Sequence, residues 1–258
     1  MANPALNEKT FAPDRLRTLD PRKVFGEAPG EVRPATMTVE GVISRSALLL
    51  PILLVTAWVG WRSVGRTDLG AQVPGWILPA LLVGLGVAVL TIFRPALSPW
   101  TAPAYAAIEG LVVGAISAIY DVQFNGIALQ AIMLTGAVFA IMLGLYATRR
   151  IRVTDRLRSV VTVATLAVMV VYGVSLLLRL FGTTVPMIHE SGPIGILFSL
   201  AVVGIASFNL LLDFDLIERG VASGAPKWME WYGAFALLVT LVWLYLELLR
   251  LLSKLRSR

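Results

Sequence analysis

PIGILFSLAVVGIASFNLLLD, residues 193–213, contains no charged side chain until Asp213 closes it. About 20 apolar residues in a row are what an α-helix needs to cross the ~30 Å hydrocarbon core of a bilayer. Six further runs of this kind lie at roughly 43–61, 74–93, 101–120, 127–147, 160–181 and 232–252. Charge, glycine and proline separate them. Arg62–Gly70, Arg94–Pro99, Asp121–Gly126 and Gly182–Gly192 read as turns, and the stretches 148–158 and 214–230 as charged linkers. Period-two alternation is absent, which argues against a transmembrane barrel. The expected fold is all-α, a polytopic membrane bundle of seven transmembrane helices.

Composition points the same way. Hydrophobic residues make up 57% and charged residues 15% of the chain, against about 25% charged in a soluble domain. The apolar excess is spread over the runs, leaving no room for a second folded domain of ordinary size. No cysteine is present and His189 is the single histidine, which excludes disulfides, thiolate sites and a histidine-based metal cluster. The 22 Lys and Arg against 16 Asp and Glu fit positive-inside loops meeting anionic lipid rather than nucleic acid. Residues 1–36 carry mixed charge, several prolines and glycines, and no apolar core for a cleavable signal; they read as a disordered cytosolic tail ahead of a transmembrane domain at 37–258.

Basic residues in short loops set orientation. With the N-terminus cytosolic, the inner loops hold Arg94, the arginines of TRRIRVTDRLR (148–158), Arg219 and Lys227, and the outer loops only Arg62 and Arg66. Lys254, Arg256 and Arg258 then fall outside, against the trend. Either a basic tail is tolerated there, or one of the last two segments fails to cross.

Small residues recur every fourth position at Ala102, Ala106, Gly110, Gly114 and Ala118, and again at Gly84 and Ala88. Such stripes let helix backbones approach closely. Pro51 and Pro79 are expected to bend the first and second helices.

Ionisable groups at membrane depth are costly and mark candidate sites. Glu109 lies in the middle of the third helix, as an ion or proton site or as a neutral acid bonded to a neighbour. Asp213 and Asp215 fall where the sixth run ends, with Asn209 one turn before Asp213. Arg94, at the end of the second helix, has the depth to partner Asp213, or it anchors the helix at the interface. Glu247 and Arg250, three apart, can pair with each other, and Arg179 reads as a snorkelling side chain. No G-x-S-x-G elbow, H-E-x-x-H or Walker A loop occurs, so no enzyme and no cofactor is expected.

Three stretches together resemble the Bax inhibitor-1/YccA-like family, in its actinobacterial branch: SPWTAPAYAAIEGLVVGAISAIYD (98–121), TGAVFAIMLGLYATRRIRVTDRLRSVV (135–161), and FNLLLDFDLIERG (208–220) followed by WLYLELLRLLSKL (243–255). The resemblance covers residues 37–254. It implies a central last helix wrapped by the other six, and a pH-gated cation leak, best described for calcium. In calcium-leak members an aspartate on the sixth helix shares a hydrogen bond with one on the seventh, and an arginine closing the second helix exchanges partners with them. The L-x-D-x-x-x-I pattern of Leu211–Ile217 makes Asp213 the first aspartate, a weak calcium ligand, and Arg94 the arginine. Thr240 stands where the second aspartate belongs. A hydroxyl does not titrate there, so the two-carboxylate sensor is replaced by a lone Asp213 paired with Arg94.

These readings lead to a pH-sensitive leak for calcium or another cation in the cytoplasmic membrane. The alternative is a non-conducting regulator of a membrane complex such as a membrane-anchored quality-control protease. A third reading is a proton-coupled exchanger using Glu109.

Overall fold

The computed structural model describes residues 36–67, 70–181 and 192–257. Seven α-helices follow one another through them: α1 Val39–Arg62, α2 Ile77–Phe93, α3 Ser98–Gln123, α4 Ile127–Ala147, α5 Asp155–Leu180, α6 Pro193–Ala222 and α7 Met229–Arg256. Six are long and apolar enough to cross a membrane, and α2 is a shorter apolar helix. Its 17 residues extend about 25 Å, short of the ~30 Å hydrocarbon core of a bilayer. The chain is therefore a multi-pass membrane protein with the expected all-α bundle. The N-terminal tail and His189 lie outside the described residues, except that Thr36 bridges to Pro226. Between α1 and α2, strands β1 Gly65–Thr67 and β2 Gly70–Gln72 pair antiparallel; three-residue strands are too short to show a period in sequence.

Local signals place the helix ends. Thr38 caps α1, its hydroxyl accepting the Gly41 N–H at 3.0 Å, which satisfies one of the free donors of the first turn. Gly126 opens α4 at φ 76°, a left-handed conformation that side chains with a Cβ resist. Its N–H is held by Asp121 Oδ1 at 2.8 Å. Pro193 sits in the first turn of α6, where its missing N–H costs nothing. Pro79 likewise falls in the first turn of α2 rather than within the span, so the bend expected there has no cause; Pro51 does lie inside α1.

The 214–230 linker is corrected by the structure. Helix α6 runs on to Ala222 and α7 begins at Met229, so Asp213 and Asp215 lie inside a helix rather than at its end. The apolar run stops where lipid contact stops. The helix continues because its charges find partners, and it breaks only at Ser223 and Gly224, the latter at φ 66°.

Helix α7 is central. Leu238, Val242, Tyr245 and Leu249 join a buried cluster with Leu49 and Leu53 of α1 and Ala102 and Tyr105 of α3. Leu244 and Leu248, on another face, meet Leu210, Leu211 and Phe214 of α6. The α7 backbone packs against α1, α3, α4 and α6, and α5, which packs chiefly on α6, reaches it through the Tyr172 side chain; α2 packs chiefly on α3. Lipid gives helices no hydrophobic reason to associate, so close packing has to hold them. The stripe in α3 does this. A Cβ on Gly114 would run into the Ala57 carbonyl, and one on Gly110 into Leu53 O and Thr56 Oγ1. Gly60 of α1 returns the contact against Leu111 O. Gly84 of α2 is buried as expected and faces Ile108 and Glu109.

Candidate functional site

The helix ends form two polar layers. At one end the start of α1 meets the start of α7: the fully buried Glu230 carboxylate accepts Thr38 N–H at 3.1 Å, Thr38 Oγ1–H at 3.0 Å and Lys227 Nζ at 2.7 Å. Ser98, opening α3, donates to Trp228 O at 3.1 Å. Asp215 of α6 is gripped by Arg158 of α5 at 2.6 Å and Arg219 at 3.0 Å. Glu218 binds Arg149 at 2.5 Å and also accepts from Tyr146 Oη. The Arg149–Glu218 hydrogen bond, together with the Glu218 charge, raises the Arg149 guanidinium above its ordinary value. Three of the basic residues assigned to inner loops, Arg149, Arg158 and Arg219, thus share one end of the bundle with acidic partners from α6.

Asp213 points inward from this layer. Its carboxylate stands within hydrogen-bonding reach of the Thr240 hydroxyl on α7 and within electrostatic reach of Tyr232. Oδ2 is buried and has no hydrogen-bond partner. Sequence alignment alone had set Thr240 opposite Asp213, and the fold brings the two together. It does not bring the other candidates there. Arg94, exposed at the C-cap of α2, makes no ion pair with Asp213, so the pairing expected from sequence is not formed among the described residues. Asn209 turns to α5, donating to Thr165 Oγ1 at 2.8 Å and to Ile205 O at 2.9 Å. Glu109 faces Gly84 of α2 and lies near Tyr105; no interaction joins it to Asp213. Asp215 is spent on its two arginines.

The opposite end holds groups that the sequence only half disclosed. Glu247 and Arg250 pair at 2.7 Å as expected, but Tyr172 of α5 joins them, its Oη donating to Glu247 Oε2 at 2.7 Å and accepting from Arg250 at 2.5 Å. Lys254 is buried, donating to Ser199 Oγ at 2.9 Å and Gly195 O at 3.0 Å of α6. Arg256 reaches Asn125 O at 2.9 Å in the α3–α4 turn. Lys254 and Arg256, two of the basic residues that ran against the positive-inside trend, thus tie the end of α7 to α6 and to the α3–α4 turn, and α7 is long and apolar enough to cross a membrane; Arg258 lies outside the described residues. Glu230, Tyr232 and Tyr172 were missed as site residues, because only tertiary contact distinguishes them from interfacial polar side chains.

A separate cavity of about 600 Å³ opens between α1 and α4, floored by α3 and α7. Its walls are apolar, with Leu50, Trp58, Phe139 and Leu241 among them, and neither Asp213 nor Glu109 lines it. Among the described residues no three His, Asp or Glu side chains converge to hold a metal ion.

A family model described as Bax inhibitor 1 like matches residues 3–257. No curated protein matches the chain.

Proposed function

The chain belongs to the Bax inhibitor 1 like family, and from that premise we propose that it is a pH-sensitive cation leak of the cytoplasmic membrane, with calcium its ion. One observation carries the reading. Asp213 presents a buried carboxylate oxygen with no hydrogen-bond partner, beside Thr240, at the contact of α6 with the central helix. A buried ionisable group is expensive in a membrane protein and is kept there for ion or proton handling. Carboxylate oxygens suit hard cations, and a site with few ligands releases them as readily as it takes them.

In this reading each candidate residue takes a role. Asp213 is the titrating ligand and Thr240 orients it without titrating. Arg94, at the same end of the bundle and in no ion pair with Asp213 among the described residues, is in this reading the cation that exchanges onto it. Asp215 and Asn209 hold α6 to α5, and Glu109 belongs to the α2–α3 contact. The polar layer bearing Arg94, Arg149, Arg158 and Lys227 faces the cytosol, which puts the N-terminus inside.

The test is calcium entry into dye-loaded liposomes carrying the purified full chain, followed from roughly pH 5 to pH 8. Asp213→Asn imitates the protonated acid permanently. Its flux should therefore lose its pH dependence and sit, at every pH, at the level the parent reaches at its acid extreme. A pH profile that survives the substitution removes Asp213 from the gate. Should the parent carry no calcium above empty vesicles while folded, the leak reading falls and a non-conducting regulator of a membrane complex, such as a quality-control protease, takes its place. Flux that follows a proton gradient and is lost in Glu109→Gln would instead indicate an exchanger.

A further inference from the structure

Helices α6 and α7 run antiparallel in a register fixed at two points. Lys254 of α7 bonds Ser199 of α6 at 2.9 Å, and Thr240 of α7 meets Asp213 of α6. Fourteen residues along either helix separate these contacts. Seven residues from each lie Glu247 on α7 and Ala206 on α6, and positions seven apart on a helix stay on nearly the same face. The polar groups of α7 thus form one stripe, Thr240, Glu247 and Lys254, set against Asp213, Ala206 and Ser199. In this register Ala206 is the α6 residue that falls level with Glu247.

Glu247 is 1% exposed and Ala206 is fully buried. Its Oε2 is used twice, by Tyr172 and Arg250, whereas Oε1 is buried with no hydrogen-bond partner. Asp213 repeats that condition about 10 Å further along the helix axis. An unsatisfied buried acceptor is costly; Glu230 Oε2 is another such oxygen, but it lies off this seam and has Arg45 Nε at 4.0 Å. On the α6–α7 seam itself, Asp213 and Glu247 each keep one carboxylate oxygen without a hydrogen-bond partner.

We propose that Glu247 is the second cation-binding carboxylate of this protein, on the α6–α7 seam one heptad outward from Thr240, with Arg250 as the resident cation that a passing metal ion must displace. The inference rests on the cation-leak reading and names its outer site. Charged and titratable groups surround Glu247 on several sides. Tyr172 comes from α5, Arg250 and Lys254 from α7 itself, and Tyr120 of α3 acts on Arg250. Ser199 and Ala206 are the α6 members of the seam. In this arrangement Asp213 and Glu247 divide the membrane crossing into two short steps, each ending on a carboxylate oxygen, as charged side chains do in cation-selective pores.

The experiment is the same liposome assay with calcium as the probe, using full-length parent, Glu247→Gln and Arg250→Gln, each checked for a monodisperse, cooperatively melting preparation. Glu247→Gln keeps the shape and the Tyr172 hydrogen bond but removes the charge, and should reduce calcium flux about tenfold. Arg250→Gln removes the competing cation and should raise flux about threefold or more, an opposite sign that a stabilising ion pair does not predict. Unchanged flux in Glu247→Gln, with the parent conducting, overturns the outer site and leaves the leak intact. If Glu247→Gln does not fold, Arg250→Gln decides: flux at or below the parent's overturns the inference. A parent that carries no calcium overturns both readings together.

Discussion

Gly114→Val should leave little folded protein. Its backbone lies against Ala57 of α1 so closely that even a Cβ would overlap the Ala57 carbonyl, and a carbonyl in a helix cannot swing aside as a side-chain tip can. The helices must part, and the losses spread to Gly110 and Gly60, which depend on the same approach. Overpacking ordinarily costs about 1–3 kcal/mol; with backbone as the obstacle the cost should reach about 3 kcal/mol or more. For a chain of this size that corresponds to a fall of at least about 6–12 °C in Tm, with aggregation on size-exclusion in detergent. Gly86→Ala is the matched control. Nothing lies within 4 Å of a Cβ at Gly86, and alanine is the better helix former by about 1 kcal/mol, so that variant should melt at or above the parent. If Gly114→Val melts with the parent, α1 and α3 are not packed as described.

Glu230→Ala should be the second large loss. This carboxylate is fully buried and takes both the backbone N–H and the hydroxyl of Thr38, the residue that caps α1. Removing it strands two donors and loosens the start of the first helix from the start of the last. Lys227 contributes less, because it is 47% exposed and water screens the pair. Hydrogen bonds to a charged group are worth about 1.5–3 kcal/mol, so a destabilisation of about 2–4 kcal/mol is expected, read as a lowered Tm and as faster proteolysis of the N-terminal segment. Glu230→Gln keeps one acceptor for Thr38 and should fall between. A Glu230→Ala protein as stable as the parent would show that the contact is incidental.

Both variants act on contacts that connect residues far apart in the chain, yet the sequence disclosed them unequally. The Gly114 contact was announced by its stripe: small residues every fourth position have few uses in a membrane helix other than close approach. Glu230 sat in a stretch read as a charged linker, and nothing in WMEWYG (228–233) distinguishes a buried acid from an interfacial one. The same divide runs through the candidate site. A single carboxylate closing an apolar run drew attention to Asp213, and a motif aligned Thr240 to it. The extension of α6 past Asp213 was not legible, because the apolar pattern records where lipid ends and not where helix ends. Arg94 shows the reverse case. Its depth suited Asp213, but helix α2 packs on α3 and leaves the arginine exposed.

What the sequence determined by itself is the number of helices, their order and their residence in a membrane. Each depends on local length and hydropathy, and a backbone in lipid has no way to satisfy its hydrogen bonds except as helix or closed barrel. Only the tertiary structure decided which charges are partnered and which are left with an open oxygen. That depends on the register of α6 against α7, set by Lys254 on Ser199 at one end and Thr240 on Asp213 nearer the other. The periodicity of either helix alone carries no record of the rotation and offset at which it meets its neighbour.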